Sequence, residues 1–237
     1  MPACRPTLER VRTRLMSAAL AASALLMLAG CASTGSAPAT SAASESAPSA
    51  GAVSGECAYP ASGQPAVDVT PPATGTDQPT GEVQAVLQTS AGDIPLTLDG
   101  ERTPCTVESF VSLAQQQYFT NTECHRLTTS GIYVLQCGDP TGTGRGGPGY
   151  RFADELDGSE TYPAGTVAMA NAGPGTNGSQ FFLVYEDTQL DPNYTVFGTM
   201  SPEGLAVVQS IAAGGVTGGA RDGAPANPVT ITGVTVG

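Results

Sequence analysis

The sequence predicts a mainly β domain, a closed antiparallel barrel whose open ends are capped by two helices. Short runs of alternating apolar and polar residues recur between Gly, Pro, Asn and Asp turns across residues 82–237, which is the period of half-buried strands. Only two stretches carry helical spacing, and each begins at a proline. Residues 1–80 of the 237 are dominated by Ala, Ser, Thr, Gly and Pro and can bury little. One core of about 155 residues remains, a common domain size.

The elements follow in chain order. Val83, Ala85 and Leu87 alternate with polar residues, a turn follows at 90–93, and Ile94, Leu96 and Leu98 alternate again, so the domain opens with a β-hairpin. Thr103 and Pro104 read as the N-cap and first residue of a helix, whose Val107, Phe110, Val111 and Ala114 form one stripe at i, i+3, i+4 and i+7. Short strands follow at 126–127 and 132–136, then a glycine-rich loop at 138–149. Residues 162–172, 179–185 and 195–198 read as further strands. Pro202 opens a second helix with Leu205, Val208, Ile211 and Ala212 on one side, and Val229, Ile231, Val234 and Val236 close the chain as a final strand or pair.

The charge excludes one class of partner. The chain carries a net charge of −12, and its nine positive residues are all arginine. Residues 1–14 hold four of these and one acid, Glu9, so removal of that end leaves five positive against twenty negative residues, near −15. Nucleic acid and anionic lipid bind by neutralising phosphate with basic residues, and such a chain repels both.

The arginine-bearing start is followed by an apolar stretch at 15–30, too short to span a bilayer comfortably and suited to a signal-peptide core. It ends Leu28-Ala29-Gly30-Cys31, which resembles the lipobox of bacterial lipoproteins, in which the cysteine is acylated and becomes the mature N-terminus. The alternative is an ordinary signal peptide cleaved at a small residue. Residues 1–30 are thus expected to be a signal peptide, Cys31 the lipid attachment point and the protein anchored to the outer side of the cell membrane. Residues 31–80 have low complexity and are expected to form a flexible stalk, about fifty residues reaching on the order of 40 Å. The folded domain would then span 81–237.

Beyond Cys4 and Cys31, four cysteines remain: Cys57, Cys105, Cys124 and Cys137. An even number in an exported domain favours disulfides. No CxxC pair is present and the chain has one histidine, so no metal site is expected, nor any cofactor. Cys124 and Cys137 flank two strand-like runs joined by a turn at 128–131, which an antiparallel pairing would set opposite each other. Of three possible connectivities this favours Cys124 with Cys137, and Cys57 with Cys105 clipping the stalk to the domain.

The segment 167–182, VAMANAGPGTNGSQFF, is the most informative in the chain. Its glycines and Asn177 permit tight turns between two strand-like runs, and so dense a glycine turn lets a ligand approach the backbone, although glycine also serves ordinary hairpins. The string closely resembles the signature of the cyclophilins, peptidyl-prolyl cis-trans isomerases, and the resemblance extends over 82–237. It implies an eight-stranded barrel and rotation about X-Pro bonds. Cys124-His125-Arg126-Leu127 is similar to the family's F-H-R motif with Cys124 in the aromatic place, which makes Arg126 the electrostatic catalyst. Without the other motifs, Arg126 would read as a strand arginine paired to a surface carboxylate. His125 invites a general-base role, but it adjoins Arg126 on an alternating strand and the family assigns it no catalytic step.

The run 132–139 resembles the family's pocket strand, with a turn about two residues longer before it and Cys137 in place of a glycine. By that resemblance Tyr133 and Val134 line the proline pocket and Gln136 bonds the substrate backbone; otherwise Tyr133 and Val134 are ordinary barrel residues. Ala170, Asn171 and Ala172 match the backbone-binding stretch, Gln180 the polar contact and Phe182 the main pocket wall. Gly142 and Gly144 fall near the loop bordering the residue before proline. Leu190 and Tyr194 complete the pocket, and Gln189 stands where an aromatic is frequent, a partner used by the inhibitor cyclosporin. The implied partners are proline-containing polypeptides and, through Cys31, the membrane, with the protein acting as a monomer. A non-catalytic peptide-binding module is the second reading, against which the combination of Arg126, Gln136, Gln180 and Phe182 argues, and a solute- or metal-capturing lipoprotein the third, which fits the anchor but for which the sequence shows no ligand cluster or second lobe.

Overall fold

The computed structural model describes residues 56–75 and 78–237. The expected signal peptide, Cys31 and the first part of the stalk lie outside these residues. The strands are β1 (Glu82–Thr89), β2 (Gly92–Asp99), β3 (Thr122–Glu123), β4 (Arg126–Thr128), β5 (Val134–Cys137), β6 (Thr166–Met169), β7 (Phe181–Val184), β8 (Val196–Met200), β9 (Asp222–Gly223) and β10 (Thr230–Val236). The helices are α1 (Pro104–Gln115) and α2 (Pro202–Ala213).

All ten strands form one antiparallel sheet in the order β3-β10-β1-β2-β8-β6-β7-β5-β4-β9. The expected closed eight-stranded barrel is corrected to this curled, open ladder. Its two edges are the two-residue strands β3 and β9, which do not pair with each other. The chain itself spans the seam, because only Cys124 and His125 separate β3 at one edge from β4 beside the other. There the Cys124 N–H donates to Val229 C=O at 2.9 Å, and the Cys124–Cys137 disulfide ties the seam to the end of β5.

The opening hairpin pairs Thr89 with Gly92 at its tip, in the register the alternation predicts. Leu87, Ile94, Leu96 and Leu98 point inward and are fully buried, and Phe110, Leu113 and Phe119 from α1 and the turn after it pack with Phe181 and Phe197. Val111, placed on the apolar stripe of α1, is only half-buried; Ser109 and Leu113 take the inner face instead. The helix starts at Pro104 as expected, but Thr103 does not cap it through its side chain. Its hydroxyl donates to Asp99 C=O at 2.8 Å. The buried carboxylate of Glu155 supplies the cap, accepting from the N–H of Cys105 at 3.0 Å and of Thr106 at 2.8 Å. Two otherwise orphaned helix donors are satisfied by a residue fifty positions away. In α2 the local rule holds, with Ser201 Oγ accepting from Gly204 N–H.

Residues 56–75, assigned by composition to the stalk, lie along the domain. Ser62 N–H donates to Gly149 C=O and Ala66 N–H to Gly147 C=O, both at 2.8 Å. Tyr59 is buried against Tyr150 and Phe152, and its hydroxyl donates to Cys105 C=O at 2.8 Å. The Cys57–Cys105 disulfide, joining residues 48 apart, pins the segment to α1. Composition misread these residues because their stability comes from bonds to another segment, not from a core of their own.

Closing a loop of this length removes about 2–4 kcal/mol of denatured-state freedom. The double variant Cys57→Ser/Cys105→Ser is therefore expected to lose that much stability in denaturant unfolding and to become cleavable by a broad-specificity protease within 56–75. Peptide mapping without reductant should recover the pairs 57–105 and 124–137; any other pairing overturns this arrangement.

Candidate active site

Three ladders join four strands, each of which places one residue in a single row. Arg126 on β4 pairs with Gln136 on β5, Gln136 pairs with Phe182 on β7, and Phe182 pairs with Ala168 on β6. Directly opposed residues on antiparallel strands share a face, so all four project to the same side of the sheet. Their neighbours Leu127, Leu135, Phe181, Leu183 and Val167 point the other way, into the main core. The row therefore lies on the outer face.

Part of that face is not polar. Val134, Ala168, Phe182 and Val184 are buried there under Tyr162, with Ile132, Ala170, Leu190 and Tyr194 packed around them. These residues make a second apolar cluster, separate from the barrel core. The Phe182 and Tyr194 rings meet edge to face with centroids 5.6 Å apart. Tyr162 holds the covering loop in place: its hydroxyl donates to Tyr194 C=O and accepts from Tyr194 N–H, both at 3.1 Å. Phe182, Val134, Leu190 and Tyr194 thus pack together in this cluster.

Tyr133 does not. It packs against the main core, edge to face with Tyr185 at 6.0 Å. Val134 opens β5 and belongs to the outer cluster, whereas Tyr133 just before it packs toward the main core; Ile132, two positions from Val134, packs with the outer cluster. Tyr162 was missed because its role is set by a loop thirty residues downstream.

Arg126 is fixed on three sides. Its Nε donates to Asp222 Oδ1 at 2.8 Å, its Nη2 to Asp222 Oδ2 at 2.7 Å, and its Nη1 to Gln136 Oε1 at 3.3 Å. The surface-carboxylate pairing considered for this arginine is thus present, yet a guanidinium has five N–H donors and three are used. One remains on each Nη. Asp222 holds the Arg126 charge further into its protonated range, and Arg126 holds the Asp222 carboxyl below the usual carboxylate range. Asp222 lies 96 positions from Arg126 and nothing local marks it. The relay continues as Gln136 Nε2 donates to Gln180 Oε1 and Gln180 Nε2 donates to Gly146 C=O, both at 2.9 Å.

Beyond Gln136 and Gln180 opens a groove of about 640 Å³ lined by Ala170, Asn171 and Ala172 on one side and by Gly144, Arg145 and Gly146 on another. The Asn171 side chain donates to Asn193 C=O at 2.8 Å, tying this stretch to the loop that carries Tyr194. The Asn171 backbone has no partner among the described residues, which leaves it open to an extended chain. The opposite loop is held from beneath by the buried carboxylate of Asp139, which accepts from the N–H of Thr141, Arg145 and Gly146 at 2.8, 3.0 and 3.0 Å. A Cβ at Gly146 would fall 2.0 Å from Asp139 Oδ1, so only glycine fits there. His125 sits beside Gly144, and burial lowers the pKa of its imidazole below the ordinary value. Neither ring nitrogen has a hydrogen-bond partner among the described residues.

The family described as "Cyclophilin type peptidyl-prolyl cis-trans isomerase/CLD" matches residues 84–236. The chain is 52% identical over 195 residues to the "Probable peptidyl-prolyl cis-trans isomerase B" of Mycobacterium tuberculosis (strain ATCC 25618 / H37Rv), across 75% of this chain and 63% of that protein. It therefore spans less than two thirds of that relative's length. It is 40% identical over 182 residues to the "Peptidyl-prolyl cis-trans isomerase A" of the same strain, across 68% of this chain and 96% of that protein. Among solved structures, a Cryptosporidium parvum cyclophilin type peptidyl-prolyl cis-trans isomerase superposes with a TM-score of 0.59 at 29% identity, over 66% of this chain and 98% of that one. A second structure of the C. parvum protein, determined in the presence of the dipeptide Ala-Pro, gives 0.58 at 30% identity over 65% and 98%.

The Asp139 cradle has a pH signature. Burial opposes ionisation, but the hydrogen bonds from Thr141 and from the Gly146 and Thr141 N–H groups outweigh it and hold the carboxyl below its ordinary value of 3.8. Its contribution is complete above that value and is lost as pH falls through the lower folded value. Asp139→Asn should lose about 1–3 kcal/mol at neutral pH in denaturant titrations and show a shallower acid limb than wild type; an identical acid limb would refute the cradle's role.

Proposed function

The chain belongs to the cyclophilin-type peptidyl-prolyl cis-trans isomerase family, and from that premise we propose that it accelerates rotation about X-Pro bonds in exported proteins by stabilising the twisted amide. The barrier to this rotation is about 18–20 kcal/mol because carbonyl and nitrogen share resonance, and exchange without catalysis takes tens to hundreds of seconds. No nucleophile is needed. A site that binds the twisted state better than either planar isomer is sufficient.

The observation that carries the reading is the row Arg126–Gln136–Phe182. It sets a fixed cation beside the apolar cluster of Phe182, Val134, Leu190 and Tyr194. As the amide twists, its nitrogen becomes pyramidal and gains a lone pair, and the two unused Arg126 N–H groups can donate to that nitrogen and to the adjacent carbonyl. Because Asp222 and Gln136 already hold the guanidinium, little reorganisation accompanies the step. Phe182, Val134, Leu190 and Tyr194 hold the proline ring, and the open Asn171 backbone holds the flanking chain. No proton changes hands, so neutral His125 has no part.

Export follows from the signal-like start and the lipobox-like Cys31, and the two disulfides suit an oxidising compartment. We read the protein as a membrane-tethered monomer that meets client chains as they emerge. The C. parvum relative's Ala-Pro dipeptide supports a proline-containing peptide as the ligand class here as well.

Arg126→Ala should lower kcat/KM on proline peptides by about 10²-fold, the usual loss on removing one preorganised donor, with unfolding curves close to wild type. Binding of the same peptides without any turnover by the wild type would favour the holding-module reading instead. The rate should show no histidine-shaped step with pH, since the arginine stays charged and the reaction moves no proton; such a step would return His125 to the mechanism. With exposed Gln189 at the rim, cyclosporin should inhibit weakly while activity is retained, and sub-micromolar inhibition would refute that.

A further inference from the structure

We propose that the groove beyond Gln136 and Gln180 is a subsite for an acidic client side chain preceding the proline, held by Arg145 and Arg151 and walled by Ser62, Gly63 and Gln64 of the N-terminal segment. The proposal rests on the isomerase reading of the adjacent slot.

The groove's charge runs against that of the molecule. The chain has 21 Asp and Glu residues against nine arginines, yet no carboxylate lines the groove and two arginines do. Of the five arginines beyond residue 55, Arg102 is paired with Asp157 and Arg126 with Asp222. The guanidinium groups of Arg145 and Arg151 are exposed and have no ion pair among the described residues. The nearby carboxylates of Asp139 and Asp154 are turned away, onto the N–H groups of Arg145, Gly146 and Gly175 and onto the Asn177 amide. A forked cation with its donors unspent, on a loop already held from below, matches a carboxylate.

The groove is continuous with the slot. Gln136 and Gln180 face both, and Ala170 packs against the Phe182 cluster while lining the groove. A chain with its proline on Phe182 would reach the groove within one to three residues at about 3.3 Å each.

The third wall lies outside the family-matched span, which begins at residue 84. Ser62, Gly63 and Gln64 are held there by the bonds of Ser62 and Ala66 to Gly149 and Gly147 and, further back, by the Cys57–Cys105 disulfide. The Pro65 ring rests on Gly149, where a Cβ would meet it at 3.0 Å. This wall narrows the groove around the two arginines, and the Gln64 amide adds a neutral polar group.

Isomerisation kcat/KM and calorimetric binding would be measured with the full-length chain on blocked pentapeptides Ala-Glu-Ala-Pro-Phe, Ala-Lys-Ala-Pro-Phe and Ala-Ala-Ala-Pro-Phe. Wild type should favour the Glu over the Lys peptide by about tenfold at low salt, with the ratio shrinking in about 0.5 M NaCl. In Arg145→Gln/Arg151→Gln the ratio should fall to about one, and in Arg145→Glu/Arg151→Glu it should invert. Because the readout is a ratio within each variant, partial misfolding does not imitate it. Equal kcat/KM and equal binding for the Glu and Lys peptides, with the Ala peptide still isomerised, would overturn the subsite and leave the isomerase reading intact. Tighter binding of the Glu peptide with no turnover of any peptide would sink the isomerase reading and support the subsite.

Discussion

The double burial of β7 is the constraint on which the site depends. Its four residues, Phe181 to Val184, are all buried, although a barrel strand needs only its inward positions covered. Phe181 and Leu183 belong to the barrel core. Phe182 and Val184 therefore need a second apolar layer outside it, and Tyr162, Leu190 and Tyr194 supply that layer from the loops. The site's apolar part is thus completed by loops and not by a further strand or helix.

Around the slot, polar side chains form a connected relay from Asp222 through Arg126, Gln136 and Gln180 to Gly146. Each member limits the rotamers of the next. Arg126 is partly exposed, its side chain at 37%, so the pair with Asp222 adds little to stability. Its effect is geometric: it aims a charge that would otherwise sweep a wide volume.

The acidic composition sharpens this arrangement. With few cations in the domain, the place of each is informative. Arg126 lies in the row with Gln136, and Arg145 and Arg151 line the groove that Gln136 borders, so three of the five arginines beyond residue 55 follow one path on the surface. The N-terminal segment borders the same path. A stretch whose Gly, Ser and Pro content reads as a linker becomes part of the binding surface once a disulfide and two backbone bonds hold it against the loop 147–149.

How much of this was legible depended on how far apart the deciding residues lie. The hairpin of β1 and β2, the starts of both helices at Pro104 and Pro202, and the alternation that turns Phe182 away from Phe181 are local patterns, and they read directly from the chain. Short motifs singled out Arg126, Gln136, Gln180, Leu190 and Tyr194 by resemblance, and the structure brings Arg126, Gln136 and Gln180 into one hydrogen-bonded relay and Leu190 and Tyr194 into the cluster of Phe182. Tyr133, which the motif sets beside Val134, packs against Tyr185 and the main core, a contact made by a residue 52 positions away. The open seam at Cys124, the Glu155 cap on α1, the Asp222 anchor and the backbone docking of residues 56–75 joined segments roughly 50 to 105 positions apart in sequence, and no local pattern announces such a partner. The sequence by itself determined which residues alternate, where helices begin and which chemistry is at hand; the tertiary structure alone decided which carboxylate aims the arginine and what walls the groove, because those depend on close approaches that exist only after the sheet has curled.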